Sequence, residues 1–224
     1  MKVLELFCGT AHISKEFARR GHETFTVDWD ARHNPTLTAD IGMLTVEQVI
    51  DLCGGRPDMI WAAPDCTTFS MMAMWKHRRK NYATGEMDPI SDYARRCDEI
   101  DRHAMQLIRN LKPKVYIIEN PCAGLRTMSY MQLMGRPQMT TYCQYGTLYG
   151  GEERQPCRKP TDFFSNINLH LKRPCRTTDD CHVHGNQGIV AVKNKVLRSM
   201  YPDELVTHMV NEVENYVNQQ VLNG

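Results

Sequence analysis

The chain has almost no surplus charge. Its 27 lysines and arginines stand against 26 aspartates and glutamates, a formal net charge of +1. Bulk charge therefore does not draw it to nucleic acid, and local basic clusters must hold any such partner. Also missing is an apolar run approaching the roughly 18–20 residues of a membrane helix, so a helical span is excluded and no membrane partner is expected. Strand-like sequence begins at once, and no secretory leader is expected. Nine cysteines, an odd count without secretory context, argue against a disulfide framework and for a reducing cytoplasm. Internal repeats and low-complexity segments are lacking too. What is present is ordinary for a globular chain: 224 residues, 42% hydrophobic and 24% charged, enough for one sizeable core with a small appendage.

Apolar runs alternate with helical periods. Val3-Leu4-Glu5-Leu6-Phe7 reads as a buried strand, followed by a helix presenting Ile13, Phe17 and Ala18 and ending at Gly21, a C-terminal cap. Thr24–Val27, Met59–Ala63 and Val115–Ile118 read as further strands, and Tyr93–Leu111 as a helix with Ile100, Ala104, Leu107, Ile108 and Leu111 on its apolar face. Strands separated by helices imply parallel pairing and a doubly wound α/β sheet. From Gly150 to Gly188 the text turns rich in Cys, His, Pro, Arg and Lys, which predicts a small irregular subdomain. After it, Pro202-Asp203-Glu204-Leu205 opens a helix through Val206, Met209, Val210, Val213 and Val217, expected to return over the sheet.

Three short segments place polar turns after apolar runs: Leu4-Glu5-Leu6-Phe7-Cys8-Gly9-Thr10, Ala63-Pro64-Asp65-Cys66-Thr67-Thr68-Phe69-Ser70 and Ile117-Ile118-Glu119-Asn120-Pro121. In an open α/β sheet, ligands bind at the carboxyl ends of strands, so a glycine turn, a cysteine and a carboxylate should converge on one crevice. A turn such as Phe7-Cys8-Gly9-Thr10 lets backbone N–H groups and a helix N-terminus meet a cofactor carboxylate. About 20 residues on, Asp28 ends a strand where an acid can accept ribose hydroxyls, and Trp29 can stack on adenine. The plain alternative is a helix cap beside a packing aromatic.

Two clusters stand apart. Lys76-His77-Arg78-Arg79-Lys80, just past the cysteine turn, is placed to grip phosphates, a solvated loop being the alternative. Cys143, Cys157, Cys175, Cys181, His182 and His184 supply enough thiolates and imidazoles for a tetrahedral structural zinc site. Cys175 and Cys181 are its first expected ligands, joined by two from Cys143, Cys157, His182 and His184. A region with so few apolar residues needs some such staple. Otherwise these are ordinary thiols and an exposed histidine pair.

In order and wording, the three turn segments resemble the cytosine-5 DNA methyltransferases, whose motifs read D/E-L-F-x-G-x-G, P-C-x-x-F-S and E-N-V. The resemblance covers the chain well to about residue 130, the last thirty residues weakly and the middle poorly. It implies a Rossmann-like methyltransferase sheet with a small irregular Cys/His-rich target-recognition subdomain. Residues 1–149 would form the S-adenosylmethionine-binding catalytic domain, 150–188 the recognition subdomain, and 189–224 a C-terminal segment returning to the first. The implied cofactor contacts are Phe7, Cys8, Gly9, Thr10, Asp28, Trp29, Asp40, Ile41 and Pro64. Cys66 is the implied nucleophile at C6 of cytosine, since a thiolate attacks strongly and leaves readily. Glu119 would bind the N3 and N4 edge of the base and polarise it. The family's Q-x-R-x-R segment is nearest to Gln155-Pro156-Cys157-Arg158-Lys159, which makes Arg158 a third implied catalytic residue, with Arg154 its rival.

Besides this arginine segment, where the spacing is off by one and the second base is lysine, the chain departs from the pattern in three places. Ala11 or His12 stands for the last glycine of the turn, Asp65 for the proline before the cysteine, and Pro121 for valine. A carboxylate at position 65 would raise the thiol pKa if it faced the sulfur, so its side chain is expected on a backbone amide. The implied activity is S-adenosylmethionine-dependent methylation of C5 of cytosine in DNA on a flipped base. A monomer is expected, in the cytoplasm of a prokaryotic or phage-infected cell. Cytosine in RNA, or a catalytically inactive cofactor- and DNA-binding regulator, are the alternatives.

Overall fold

The computed structural model describes residues 1–146, 156–182 and 199–222. At its centre lies a seven-stranded sheet built from β1 (Lys2–Leu6), β2 (Glu23–Asp28), β3 (Leu37–Thr38), β4 (Met59–Ala62), β7 (Val115–Pro121), β8 (Gln138–Thr141) and β9 (Pro160–Ser165), in the order β3-β2-β1-β4-β7-β9-β8. From β3 to β7 every pairing is parallel, while β9 is antiparallel to both of its neighbours. Alternation along each strand divides the core between two faces. Leu4, Leu6, Ile60, Ala62 and Ile118 point to one face. Val3, Met59, Trp61, Val115 and Ile117 point to the other.

Helices cover both faces, which makes the sheet doubly wound. On the first face lie α2 (Val46–Cys53), through Val49 and Cys53, and α4 (Asp92–Leu111), through Ala104, Leu107, Ile108 and Leu111. On the second lie α1 (His12–Arg19), through Ile13 and Phe17, and α6 (Asp203–Leu222), through Leu205, Val206, Met209, Val210, Val213 and Val217. The C-terminal helix thus returns over the sheet. It is pinned to α1 and the turn after it by Arg20–Glu214 at 2.7 Å, His22–Glu214 at 2.8 Å and His12–Asp203 at 3.2 Å.

Local signals explain most element ends. Thr45 and Gln48 form a reciprocal capping box that starts α2, and Gly54 ends it with a left-handed φ of 59°. Ser91 caps α4 by accepting from the Ala94 amide at 3.2 Å. Between β4 and α4 run a helical turn, α3 (Met74–His77), and a hairpin of β5 (Arg78–Lys80) and β6 (Met87–Pro89); α5 (Ser129–Gln132) is another single turn. Among the described residues no helix is long and apolar enough to cross a membrane.

Part of the expected subdomain is continuous with the sheet. The stretch beginning at residue 150 reads as an irregular subdomain, yet Pro160–Ser165 is a strand of the main sheet, pairing Phe164 with Ile118 and Phe163 with Glu119. Phe163 and Phe164 bury their rings on opposite faces, so this strand belongs to the core. Residues 166–182, which follow it, contain neither helix nor strand. The boundaries expected at 149–150 and 188–189, and also Arg154, Gln155 and His184, lie outside the described residues.

Candidate active site

Register brings the expected groups to one edge of the sheet. Leu6 pairs with Val27 and Ala62, and Ala62 pairs with Ile118. The residues just beyond these pairs are Phe7, Asp28, Ala63 and Glu119, so four adjacent strands bring them side by side at the carboxyl edge of the parallel sheet, with β7 running two residues further against β9.

After β1 the chain makes a tight turn in which Phe7, Gly9 and Ala11 all take left-handed φ values of 57°, 47° and 52°. Glycine accepts that conformation freely, whereas Phe7 and Ala11 are strained by it, a pattern that gathers at ligand sites. Nothing lies within 4 Å of where a Gly9 side chain would begin, so a ligand can approach the backbone there. The Asp28 carboxylate braces the turn, accepting from the Gly9 amide and the Asp30 amide at 3.0 Å each. Trp29 beside it is 71% exposed and presents a free ring face. Asp40 accepts from the Gly42 amide at 2.9 Å and pairs with Arg96, while Ile41 is buried. Thr10 is half-buried, and its carbonyl accepts from Lys15 Nζ at 2.8 Å. Cys8 is buried, and burial pushes its thiol up to about 12. An open backbone cradle, an exposed indole and an acid at the second strand end fit the carboxylate, adenine and ribose of S-adenosylmethionine.

Cys66 lies in the turn after β4. The Phe69 and Ser70 amides both donate to its carbonyl, at 3.1 and 2.8 Å. Burial pushes its thiol up to about 11; Lys159 draws it down, while Glu119 and Asp65 push it further up. Asp65 accepts from the Thr67 amide at 2.7 Å and from the Tyr93 hydroxyl. Its carboxylate is thus on a backbone amide, as anticipated, though its charge still reaches the sulfur. Asn120 ties this turn to β7, donating from Nδ2 to the Pro64 carbonyl at 3.0 Å.

Glu119, buried within β7 two residues before its end, accepts from the Tyr142 hydroxyl at 3.0 Å and faces Lys159 Nζ at 3.6 Å. Sequence reasoning overlooked Lys159 in favour of Arg158. Arg158 instead donates from Nη2 to the Cys175 carbonyl at 3.4 Å, and its Nε is buried without a hydrogen-bond partner. Of these two adjacent basic residues, Lys159 is the one that faces Glu119.

The basic run after the Cys66 turn is also divided. Lys76, Arg79 and Lys80 are exposed, but Arg78 is buried. Its guanidinium stacks on Phe69 at 3.5 Å, bonds Thr68 Oγ1 at 2.9 and 3.1 Å, and pairs with Asp98 of α4 at 2.7 Å. Arg78 therefore anchors the turn carrying Cys66 and is not available to a phosphate.

Of the expected metal ligands, Cys143, Cys175, Cys181 and His182 converge, all four donor atoms lying within 4.8 Å of one another. The group could hold a metal. Cys157 is not part of it; this side chain packs into the apolar cluster with Trp61 and Tyr142.

Sheet order and double winding place the chain in the Rossmann-like α/β class, with a crevice at the carboxyl ends of its parallel strands. A solved structure of a protein encoded in an E. coli prophage, assigned as a DNA modification methyltransferase, shares the fold with a TM-score of 0.54 at 17% identity, covering 78% of this chain and 51% of that one. The present chain thus spans about half the length of that structure. In sequence it is 30% identical over 186 residues, 81% of this chain and 78% of the relative, to the "Probable DNA (cytosine-5)-methyltransferase" of Frog virus 3 (isolate Goorha). No protein-family model matches it. The chain belongs to the DNA cytosine-5 methyltransferase family.

Proposed function

We propose that the protein methylates C5 of cytosine in DNA, using S-adenosylmethionine and a covalent adduct through Cys66 on a flipped base. One observation carries this reading: a thiol, a buried carboxyl group and a lysine meet at adjacent strand ends, beside a backbone turn suited to the cofactor. Phe7–Thr10, Asp28 and Trp29 would hold S-adenosylmethionine, with Asp40, Ile41 and Pro64 lining the same edge. When bound, that cofactor supplies an electrophilic methyl group.

C5 of cytosine is a poor nucleophile until a group adds at C6, and C6 cannot be reached while the base is stacked. Lys159 favours the thiolate of Cys66 against the cost of burial. As the sulfur adds to C6, Glu119, steadied by Tyr142, hydrogen-bonds the N3 and N4 edge and draws electron density from the ring. Once C5 is methylated, loss of the C5 proton re-forms the double bond and expels the Cys66 sulfur. Exposed Lys76, Arg79 and Lys80 would meet phosphates as the strand docks, Lys76 and Lys80 leaving the Trp75 and Tyr82 rings over which they lie.

The test uses duplex DNA with 5-fluorocytosine at the target, where fluorine blocks the last elimination. With S-adenosylmethionine present, wild-type protein should form a denaturation-resistant adduct. Cys66→Ser should form none while still binding the cofactor in calorimetry. An undiminished adduct in that variant overturns the assignment; an adduct with RNA alone would move the activity to that substrate.

A further inference from the structure

We propose that Cys143, Cys175, Cys181 and His182 bind one zinc ion, and that this ion holds the turn carrying Tyr142 in place against Glu119. The second half rests on the role given to Glu119 above; the first half does not.

Geometry argues first. The contacts are 3.3 Å for Cys143 Sγ to Cys175 Sγ, 3.7 Å for Cys143 Sγ to Cys181 Sγ, 3.7 Å for Cys175 Sγ to His182 Nδ1 and 3.4 Å for Cys181 Sγ to His182 Nδ1. A tetrahedron with zinc–sulfur bonds of about 2.3 Å and a zinc–nitrogen bond of about 2.0 Å has edges of roughly 3.5–3.8 Å. The donors already stand near its corners. A disulfide would use only two of the sulfurs and draw them to about 2.05 Å, leaving the third thiol and the imidazole unexplained. Three sulfurs and one imidazole nitrogen suit a soft, tetrahedral cation.

Surroundings agree with the donor set. Cys143, Cys175 and His182 are buried, and Cys181 is half-buried. Gln144 Nε2 donates to Cys181 Sγ at 3.1 Å, and the Cys175 amide donates to Thr141 Oγ1 at 3.0 Å, contacts of the kind that orient metal ligands from outside. Three thiolates around a divalent ion leave one net negative charge. The Arg158 guanidinium, bonded to the Cys175 carbonyl, lies beside it.

Topology then gives the ion its purpose. Cys143 sits in the turn Tyr142–Tyr145 at the end of β8, whereas Cys175, Cys181 and His182 come from residues 166–182, which have no helix or strand of their own. A loop of that length in a compact domain needs a staple. The ion would tie it to the residue next to Tyr142, whose hydroxyl reaches Glu119 Oε1, and through Arg158 to Lys159, which faces the same carboxylate oxygen and the Tyr142 hydroxyl.

Protein purified without added metal should carry about one zinc per chain by elemental analysis, and cobalt exchange should give thiolate charge-transfer bands with a tetrahedral visible spectrum. Cys181→Ser, the least buried ligand, should lose the metal, and Cys157→Ser should keep it. Metal-free wild type, or loss from Cys157→Ser with retention in Cys181→Ser, overturns the ligand set. In case variants misfold, the wild type can be stripped by a thiol reagent in the presence of a chromogenic chelator, which should release one zinc as three cysteines are modified. Release without modification of Cys143, Cys175 or Cys181 counts against the site. For positioning, reversibly stripped protein should bind S-adenosylmethionine as before but form the 5-fluorocytosine adduct at least about tenfold more slowly at saturating DNA, the scale for losing outer support of a site. An undiminished adduct rate would leave the zinc site standing and overturn its link to Glu119.

Discussion

Cys66 and Lys159 form a pair whose coupling is directly measurable. With the thiol pushed up to about 11 by burial, only about one molecule in a thousand holds a thiolate at pH 8. Alkylation of Cys66, followed on its own peptide by mass spectrometry, should therefore climb about tenfold per pH unit between pH 7 and 10. Lys159 is the largest influence favouring the charged form, so Lys159→Gln should shift the climb to higher pH and slow the reaction at pH 8. An identical profile would disconnect the two residues. The identity of this cation is also where sequence was least informative. Arg158 and Lys159 are both basic and adjacent, and which of them faces Glu119 depends on the register with which β9 enters the sheet. Cys66 and Glu119 were legible because each closes an apolar run with a turn, and because that text matches a known pattern.

Among the elements, α1 depends on its neighbour. Ala11 offers no side-chain cap, and the acceptor at the start of the helix comes from β1, where Glu5 Oε2 takes the Ser14 amide at 2.8 Å. Burial raises this carboxyl group to about 7 from 4.5. The folded chain then keeps a proton that the unfolded chain releases between these values. Stability present below pH 4.5 is accordingly lost as pH rises to about 7, a total of roughly 3 kcal/mol. Glu5→Gln keeps an acceptor and removes the ionisation, so its denaturation midpoint should fall less steeply from pH 5 to 7 than that of the wild type. Parallel curves would place the titration elsewhere. Of the five parallel strands, β3, only Leu37–Thr38, is too short to show an apolar run, whereas the other four could be read from theirs. So could α2, through the capping-box spacing of Thr45 and Gln48, but that signal passed unread. Hidden altogether was β9: six residues embedded in cysteine-, proline- and lysine-rich text, with a long-range antiparallel partner that no local period reports.

For the molecule as a whole, the sheet is only as stable as its second cover. Leu205, Val206, Met209, Val210, Val213 and Val217 bury one side of α6 against it. At about 1.5–3 kcal/mol for each buried side chain, their sum matches or exceeds the roughly 5–15 kcal/mol by which a domain is stable at all. A chain ending at residue 202 should therefore be insoluble, or compact without fixed packing, binding hydrophobic dye and lacking a cooperative melting transition. A soluble truncated chain that unfolds cooperatively would show that α1 and the strands suffice.

Asp65 carries one more consequence, which concerns descent. Its carboxylate is shared between the Thr67 amide and the Tyr93 hydroxyl, so an acid at a place where the family pattern has proline depends on a tyrosine 28 positions away. A lineage restoring proline at 65 would release Tyr93 to drift. One losing Tyr93 first would leave a less shielded carboxylate beside the sulfur whose ionisation it opposes. The two positions should therefore change together among relatives, with loss of the acid at 65 preceding loss of Tyr93; relatives that keep Asp65 without a hydroxyl at 93 would show the pairing to be dispensable.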